Sequence, residues 1–229
     1  MAVDAGSLAF ALTTEEMCRV RHILISHAHV DHTASLPVFI AETLPALTAP
    51  VIVHAIPGVI ETLQRCVFNG EMWPDFTRIR MRDNMGPPLE FCSLKPGAPA
   101  SVGHLRATPV LVNHVVPTTG FLIQDHRVSV AITSDTYATD EFWAAAKRLD
   151  GLQAIIVDVS YPDEMHDLAV ASKHFTPRSL AADLKKLGRD VPIYAVHIKP
   201  SHRDCVIRQL HELGDPRISV LEIGRTYEW

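Results

Sequence analysis

Apolar, strand-like stretches of this 229-residue chain end repeatedly in a residue type that binds metal ions. The stretch at residues 22–26 runs directly into the sequence HAHVDH, and later apolar stretches lead to His114, Asp135 and His197. A single histidine or aspartate at a strand end is more often a turn or capping residue. The prediction of a metal site therefore depends on the repeated occurrence of such residues at several strand ends. We expect these strand ends to line one rim of the sheets and to bring their side chains together.

The motif HAHVDH holds four potential metal ligands within six residues. His27 and His29 are two residues apart in an extended segment, so they point to the same side of the chain. Asp31 and His32 follow where the strand pattern gives way to a helix pattern. Neutral imidazole and carboxylate suit zinc, and four donors exceed what one ion with an open position for water needs. The motif therefore predicts two metal ions, because a loop of solvated histidines accounts for one histidine better than for this cluster.

Strand and helix patterns alternate along most of the chain in mixed order. A buried strand pattern lies at residues 51–55, a hairpin pattern turns near Asp125, and a helix pattern begins at Thr176. Hairpins beside strand–helix units favour an α/β (α+β) fold with two sheets flanked by helices over one doubly wound sheet, although periodicity alone leaves both open. We predict a single domain over residues 1–229, with an elaborated loop region or small hairpin at about residues 69–103.

The composition limits the classes of partner. Hydrophobic residues make up 47% and charged residues 21%, which allows an ordinary buried core, and the net charge of −5 gives no basic surface for a stable nucleic-acid partner. No apolar run is long enough to cross a bilayer, so we expect no membrane association. Four dispersed cysteines without a CxxC pair indicate the reduced thiols of a cytoplasmic protein. The chain opens as if at the end of a strand, so an export signal is left open.

The order of these motifs resembles that of the metallo-β-lactamase fold: H-x-H-x-D-H, a distant histidine, an aspartate after an apolar strand and a late histidine. The resemblance implies a four-layer αββα sandwich with a two-metal site at one edge. The opening sequence VDAG resembles the strand and turn before the first metal motif, so we expect the first N-terminal strands of the fold to be absent. The resemblance implies seven ligands, namely His27, His29 and His114 for one ion, Asp31, His32 and His197 for the other, and Asp135 bridging both.

The stretches FNGEMWPDF, VNHVVPTTGFLI, SKHFTP and VHIKP are similar to those of the class II cyclic nucleotide phosphodiesterases, over nearly the whole chain. This similarity implies hydrolysis of a small-molecule 3′,5′-cyclic nucleotide, cAMP or cGMP, to a nucleoside 5′-monophosphate. The implied cofactor is two Zn²⁺ per chain, with Mn²⁺ or another divalent metal as an alternative. A hydroxide bridging the two ions would attack phosphorus. Whether the protein forms a homodimer is left open.

A proton donor is also needed, because ribose O3′ is a poor leaving group. His174, shortly before Thr176, is our candidate for this donor or for phosphate stabilisation; the alternative is a helix-start histidine bonded to nearby backbone. Asp158 stands where the related transfer-RNA 3′-processing nucleases carry a glutamate that orients the histidine, and it is one methylene shorter. The alternative for Asp158 is a hydrogen-bonded polar residue at a strand end. We group Asp31 with these catalytic residues as well as with the ligands.

Three residues are candidates for substrate contact. Trp73 and Phe76 either stack against the purine or pack their loop as local core, and the sequence favours neither. Lys199 either meets a phosphate as a point charge or is solvated. An RNA-processing nuclease of the same fold, a lactone or thioester hydrolase and a non-catalytic remnant are the competing functions. The first of these expects a basic surface, which the net charge does not indicate.

Overall fold

The computed structural model describes residues 1–82 and 85–229, and the chain divides into two compact units. The first unit consists of Met1–Lys95 with Ala100–His104, and the second of Pro96–Pro99 with Leu105–Trp229. The prediction of a single domain stays a prediction.

The first unit is built around a parallel sheet. Its strands are β1 (Ala2–Val3), β2 (His22–Leu24), β3 (Val51–Ala55) and β4 (Leu89–Ser93), in that spatial order. Strands of a parallel sheet are covered on both faces and therefore read as nearly continuous apolar runs. The sequence VIVHA of β3 follows this rule, and Val51, Val53 and Ala55 are fully buried.

The helices of the first unit are short. They are α1 (Leu8–Ala11), α2 (Thr14–Arg19), α3 (Val30–Thr33), α4 (Leu36–Thr43) and α5 (Pro57–Cys66), with a 3₁₀ turn at Leu44–Ala46. Both α4 and α5 have proline in their first turn, where the missing N–H has no helical partner to lose. Helix α4 buries Leu36 and Phe39, and α5 buries Leu63, in one core with the apolar residues of the sheet.

Strand β4 lies within the region that we predicted as an elaborated loop or small hairpin. It pairs in parallel with β3, which places Leu89 beside Val51 and Cys92 beside His54. Leu89 is fully buried, so burial of an apolar side chain and not a local turn determines where this segment lies. Residues 69–82 and 85–88, which the structure describes, contain no α-helix or strand. The short strand β5 (Ala100–Val102) also belongs to the first unit.

The second unit is built around a mixed sheet. Its strands are β6 (Leu105–Leu111), β7 (Thr119–Gln124), β8 (Ser129–Ile132), β9 (Leu152–Asp158), β10 (Ile193–Val196) and β11 (Ile218–Val220). Their spatial order is β11-β10-β9-β8-β7-β6, antiparallel from β6 to β8 and parallel from β8 to β11. The carboxylate of Asp125 accepts hydrogen bonds from the N–H groups of Arg127 and Val128 between β7 and β8. This turn confirms the predicted hairpin.

The helices of the second unit pack on this sheet. They are α6 (Asp140–Lys147), α7 (His166–Ser172), α8 (Pro177–Asp183) and α9 (Arg203–Glu212), with 3₁₀ turns at Asp163–Met165, Leu184–Lys186 and Pro200–His202. Helix α8 begins as predicted, because Thr176 accepts from the N–H of Ser179 and the Ser179 side chain bonds back to Thr176. Phe142, Phe175 and Leu180 are fully buried in one core with the strands.

These elements confirm the predicted mixed α/β class with two sheets. All four cysteines are free thiols, in agreement with the expected reduced state. Among the described residues, no helix combines the length and the apolar composition that a membrane crossing requires.

Candidate functional site

The HAHVDH motif lies where the first unit changes from strand to helix, as the sequence predicted. Strand β2 ends at Leu24, and His29 is still extended, with φ −62° and ψ 149°, as the residue before α3. Asp31 and His32 lie in the first turns of that helix. The chain therefore delivers His27 and His29 from an extended segment and the other two donors from a helix.

Three imidazole rings of this motif lie against one another. The Nε2 atom of His27 is 3.0 Å from the Nδ1 atom of His29, and the ring centroids of His27 and His32 are 4.1 Å apart. His27 is fully buried and His32 nearly so. Buried imidazoles at this spacing are costly unless a proton or a cation lies between their nitrogens. Their chemistry fits a divalent metal such as zinc, for which neutral imidazole is a common ligand.

Asp4 supports this histidine cluster, and sequence reasoning missed it. Its Oδ2 atom lies 2.8 Å from Nδ1 of His32 and accepts from the hydroxyl of Ser26 at 2.9 Å, while Oδ1 accepts from the Ser26 N–H at 2.8 Å. The carboxylate holds the proton of His32 on Nδ1, so Nε2 is the atom that would coordinate a metal ion, as in other histidines that a carboxylate orients. Asp4 has φ 58°, a left-handed conformation that aspartate adopts more readily than most residues. The sequence VDAG was the available signal.

Gly6, two residues after Asp4, ends the same VDAG sequence and has a steric role. A Cβ atom at this position would lie 1.7 Å from the carbonyl oxygen of Asp31. Only glycine therefore allows this turn to pass so close to α3. The turn that carries Asp4 and the helix that carries Asp31 and His32 are packed backbone against backbone.

The second unit has its own cluster of donors at strand ends. Asp135, Asp158, His174 and His197 offer ligand atoms that all lie within 4.8 Å of one another. Asp158 is the last residue of β9, and His197 follows β10 directly, with φ 61°. The sequence predicted that apolar strands would bring Asp135 and His197 to one place, and both residues belong to this cluster.

Asp158 and His174 form a buried pair within that cluster. The Oδ2 atom of Asp158 is 2.6 Å from Nδ1 of His174, and both side chains are almost fully buried. Burial alone would raise the pKa of Asp158, but hydrogen bonds from His174 and His197 outweigh it and lower the pKa to about 2. The ionised carboxylate therefore keeps a proton on Nδ1 of His174 and fixes the orientation of the ring.

Ser160 connects this pair to His197, and sequence reasoning missed it too. Its hydroxyl donates to Oδ1 of Asp158 at 2.7 Å and lies 2.9 Å from Nδ1 of His197. Burial alone would lower the pKa of His197, but the hydrogen bond and charge of Asp158 raise it overall. Nothing in the sequence DVSYP distinguishes this serine from a turn residue; only the return of β10 beside β9 reveals its role.

His114 belongs to the surroundings of the same cluster. Its ring centroid lies 5.2 Å from that of His174, and its Nδ1 atom is 3.3 Å from the carbonyl oxygen of Lys173. Lys173 ends α7 in a left-handed conformation, with φ 62°. This conformation places His174 directly after the helix and turns the Lys173 carbonyl toward His114. His114, which the sequence predicted at a strand end, follows β6 in the structure and lies beside the predicted proton donor.

The three candidates for substrate contact lie in different surroundings. Trp73 is partly buried against the core of the first unit, and its indole N–H is buried without an acceptor among the described residues. Phe76 is 5% exposed, with its ring 6.2 Å from that of Phe68, which favours the core alternative for this residue. Lys199 is half-buried just before a 3₁₀ turn, two residues after His197.

Comparison with known proteins identifies the family to which the chain is similar. A family model described as the beta-lactamase superfamily domain matches residues 5–198. A probable 3′,5′-cyclic-nucleotide phosphodiesterase of Yersinia pestis is 27% identical over 233 residues, which cover 88% of this chain and 65% of that protein. The chain thus spans less than two thirds of the length of this relative. The resemblance predicted from the sequence is confirmed.

Solved structures show the same fold. The structure of unliganded yeast PDE1 has a TM-score of 0.79 at 21% identity, covering 91% of this chain and 68% of that one. The metallo-beta-lactamase fold protein YhfI from Bacillus subtilis has a TM-score of 0.72 at 15% identity, covering 96% and 83%. The metallo-β-lactamase fold predicted from the motif order is confirmed.

Proposed function

Because this chain belongs to the β-lactamase superfamily, we propose that it is a metal-dependent phosphodiesterase that hydrolyses 3′,5′-cyclic nucleotides to nucleoside 5′-monophosphates. The similarity to a probable cyclic-nucleotide phosphodiesterase supports the substrate class. The observation that carries the proposal is the His174–Asp158 pair, because a phosphodiester with an alkoxide leaving group needs a positioned proton donor.

Two divalent ions, Zn²⁺ in our proposal, would be held by imidazole and carboxylate donors. The proposed ligands are His27, His29 and His114 for one ion, Asp31, His32 and His197 for the other, and Asp135 for both. The donor chemistry of each cluster supports this set, since imidazole and carboxylate without thiolate are typical of hydrolytic zinc sites. When bound, the ions polarise phosphate oxygens and lower the pKa of a coordinated water, which is the chemistry that hydrolysis of a phosphodiester requires.

His174 supplies the proton to the leaving group. Its Nδ1 atom is held by Asp158, so Nε2 is the atom from which a proton passes to ribose O3′ as the O3′–P bond breaks. Ser160 keeps Asp158 in place from its other oxygen. A proton donor of this kind contributes on the order of 10²–10⁴ in rate.

The remaining proposed contacts position the substrate. Lys199 stabilises the negative charge of the phosphate as a point charge, and its place two residues after His197 supports this role. Trp73 contacts the base. Phe76 was a candidate for the same contact, with core packing as the alternative, and its burial supports only an indirect role in holding the segment that carries Trp73.

A substrate panel tests the proposal. Zinc-loaded protein is incubated with cAMP, cGMP, bis(p-nitrophenyl) phosphate and a precursor transfer RNA, and the products are separated by chromatography. We expect nucleoside 5′-monophosphates from the cyclic nucleotides and no cleavage of the RNA. The control is His126→Ala, which changes an exposed histidine in the β7–β8 turn and keeps full activity. Cleavage of the RNA alone would establish the competing nuclease function.

A further inference from the structure

We propose that Ser26 and Ser160 are positioning residues, each of which fixes the ring proton of a proposed metal ligand by linking that ring to a carboxylate. In each unit one carboxylate contacts one histidine directly and a second histidine through a serine hydroxyl. We call each set of carboxylate, serine and second histidine a relay. The inference rests on the proposed function only in treating His27 and His197 as ligands.

The relay of the first unit consists of Asp4, Ser26 and His27. The Ser26 hydroxyl donates to Oδ2 of Asp4 at 2.9 Å, and its oxygen lies 3.0 Å from Nδ1 of His27. A hydroxyl has one hydrogen, and here the carboxylate accepts it, so the contact with His27 requires the proton of Nδ1. Ser26 and His27 are both fully buried, so water does not compete for this contact. His27 therefore carries its ring proton on Nδ1.

The other ring nitrogen of His27 is left as an electron-pair donor. This atom, Nε2, lies 3.0 Å from Nδ1 of His29, the neighbouring proposed ligand. A neutral imidazole binds a metal ion through its unprotonated nitrogen, and the hydrogen bond of the other nitrogen decides which one that is. Oδ2 of Asp4 also lies 2.8 Å from Nδ1 of His32. One carboxylate oxygen therefore sets the ring protons of two proposed ligands, His32 directly and His27 through Ser26.

The relay of the second unit consists of Asp158, Ser160 and His197. The Ser160 hydroxyl lies 2.7 Å from Oδ1 of Asp158 and 3.1 Å from the carbonyl oxygen of His197, and we assign its hydrogen to the shorter contact with the charged group. Its oxygen lies 2.9 Å from Nδ1 of His197. The direct distance from that Nδ1 to Oδ1 of Asp158 is 3.6 Å, which is too long for a hydrogen bond. The serine therefore links two groups that do not bond directly.

The other oxygen of Asp158 holds a different histidine. Oδ2 lies 2.6 Å from Nδ1 of His174, the proposed proton donor, whereas the Ser160 hydroxyl is 3.2 Å from the same nitrogen. Oδ2 also accepts from the backbone N–H of Thr136 at 3.2 Å. The two units thus differ in what their carboxylates hold. The first holds two proposed ligands, and the second holds one proposed ligand and the proton donor.

The ring protons of the metal-free protein test the proposal without a substrate. Long-range proton–nitrogen NMR correlation spectra at about pH 8.5, where imidazole is neutral, distinguish a proton on Nδ1 from one on Nε2. We expect His27 and His197 of the wild type to carry theirs on Nδ1. A wild type with the proton on Nε2 of either ring would overturn the proposal, whether or not any variant folds.

Removal of the serines should release only the relayed histidines. We expect Ser26→Ala to abolish the Nδ1 preference of His27, and Ser160→Ala that of His197, while the histidines that the carboxylates contact directly keep theirs. Competition with a chromogenic chelator should show a zinc affinity about 10–100-fold lower in each variant. Unchanged ring protons or an unchanged zinc affinity in a folded variant contradicts the proposal.

Asparagine in place of each carboxylate tests whether the serine transmits the effect. In Asp4→Asn, the Ser26 N–H, which donates to Oδ1 at 2.8 Å, keeps the amide oxygen at that position and turns the amide NH₂ group toward the Ser26 hydroxyl. The NH₂ group donates to this hydroxyl, so the hydroxyl hydrogen turns to Nδ1 of His27 and the ring proton moves to Nε2. His32 faces the same NH₂ group and should change in the same way.

Asp158→Asn should separate the two histidines of its unit. The N–H of Thr136 keeps the amide oxygen at the Oδ2 position, so His174 retains its proton on Nδ1. The NH₂ group faces Ser160, and the ring proton of His197 should move to Nε2. A relayed histidine whose ring proton stays in place in the asparagine variant of its unit would show that the serine transmits nothing, and the proposal would be wrong.

Two matched controls remove buried hydroxyl groups outside the relays. Thr43→Val removes a hydroxyl that donates to the Phe39 carbonyl within α4, and Ser129→Ala removes one that donates to the Asp150 carbonyl. Both should keep the wild-type ring protons and zinc affinity. A loss of zinc affinity in these controls equal to that in the serine variants of the relays would assign the effect to lost packing and contradict the proposal.

The relays and the proposed function fail in different ways. If the ring protons and the zinc affinity change as expected but the zinc-loaded wild type hydrolyses no phosphodiester, the proposed function is wrong and the relays stand. If the wild type hydrolyses cyclic nucleotides while His27 and His197 carry their ring protons on Nε2, the relays are wrong and the proposed function stands.

Discussion

The donor cluster of the first unit and that of the second are built in opposite ways. The first takes four donors from six consecutive residues, and the carboxylate of Asp4 supports it from outside the motif. The second assembles its donors from Asp135, Asp158, His174 and His197, which lie at or after the ends of separate elements of the second unit. A contiguous motif fixes its own local geometry, whereas an assembled cluster depends on the register of the sheet. Substitutions in the first cluster should therefore reduce metal binding. Substitutions in the second should disturb the orientation of its side chains.

The largest effect is expected in the contiguous motif. His29→Ala removes one of two imidazole nitrogens that lie 3.0 Å apart, so we expect turnover to fall below detection and the zinc content to decrease. Elemental analysis of the purified variant alongside a cyclic nucleotide assay measures both. Full zinc content with full turnover would show that His29 is not a ligand.

A change in the assembled cluster should leave the metal in place. His174→Ala removes the proposed proton donor, and we expect kcat to fall by about 10²–10⁴ with little change in KM or in zinc content. The same four residues could instead bind an ion, since their ligand atoms lie within 4.8 Å of one another. Loss of zinc in His174→Ala would therefore assign this histidine as a ligand, and full kcat would remove it from the mechanism.

A change at Asp4 tests how far the contiguous motif depends on the carboxylate that holds His32. Asp4→Asn keeps the shape of the side chain but removes the charge that holds the His32 proton on Nδ1. We expect the affinity for zinc to fall by about 10–100-fold, as for other residues that orient ligands, while excess zinc restores kcat. Competition with a chromogenic chelator gives the affinity. An unchanged affinity would limit Asp4 to a role in the fold.

The smallest expected effect is a loss of folding stability at acidic pH. It should arise from a histidine of the first unit and not from the buried carboxylate of the second. His54 on β3 is buried beside His22, with 3.0 Å between their nitrogens, and burial and then the neighbouring charge of His22 lower its pKa to about 4. A histidine with a lowered pKa stabilises the fold fully above the unfolded pKa near 6.5 and loses this contribution as the pH falls toward 4. Asp158, with a pKa of about 2, keeps its contribution throughout this range.

Urea unfolding of the metal-free protein at pH 7 and pH 5 measures this difference. We expect the wild type to lose stability at pH 5, and His54→Leu to lose less because it has no buried imidazole to protonate. An exposed-site control, His211→Ala, should behave like the wild type. Equal loss in wild type and His54→Leu would exclude His54 as the acid-sensitive group.

The sequence predicted the two parts of the site to different depths. His27, His29, Asp31 and His32 could be read directly, because extended and helical spacing determine where neighbouring side chains point. The roles of Asp4 and Ser160 could not be read in this way. Asp4 contacts His32, 28 residues away, and Ser160 contacts His197, 37 residues away, and only the chain topology brings these residues together.

The parts of the fold that could be predicted are likewise those with local sequence signals. Strong local signals, such as the helix start at Thr176 and the turn near Asp125, predicted helix α8 and the hairpin of the second unit. Strand β4 was missed because its pairing with β3 is set by burial of Leu89, and its sequence LEFCS follows a segment rich in proline and glycine. Apolar runs that short do not distinguish a sheet strand from a loop anchor.

Asp4, Lys173 and His197 all have positive φ angles, of 58°, 62° and 61°, in a region where most residues lose about 1–2 kcal/mol relative to a right-handed conformation. Each of them positions a donor. At Lys173 the contact with His114 comes from the backbone carbonyl, so glycine or asparagine there would lower the conformational cost and keep this contact. At Asp4 and His197 the same replacement would remove the side chain that belongs to a donor cluster. Of these three positions, Lys173 is therefore the one at which thermal stability can be raised without loss of a donor side chain.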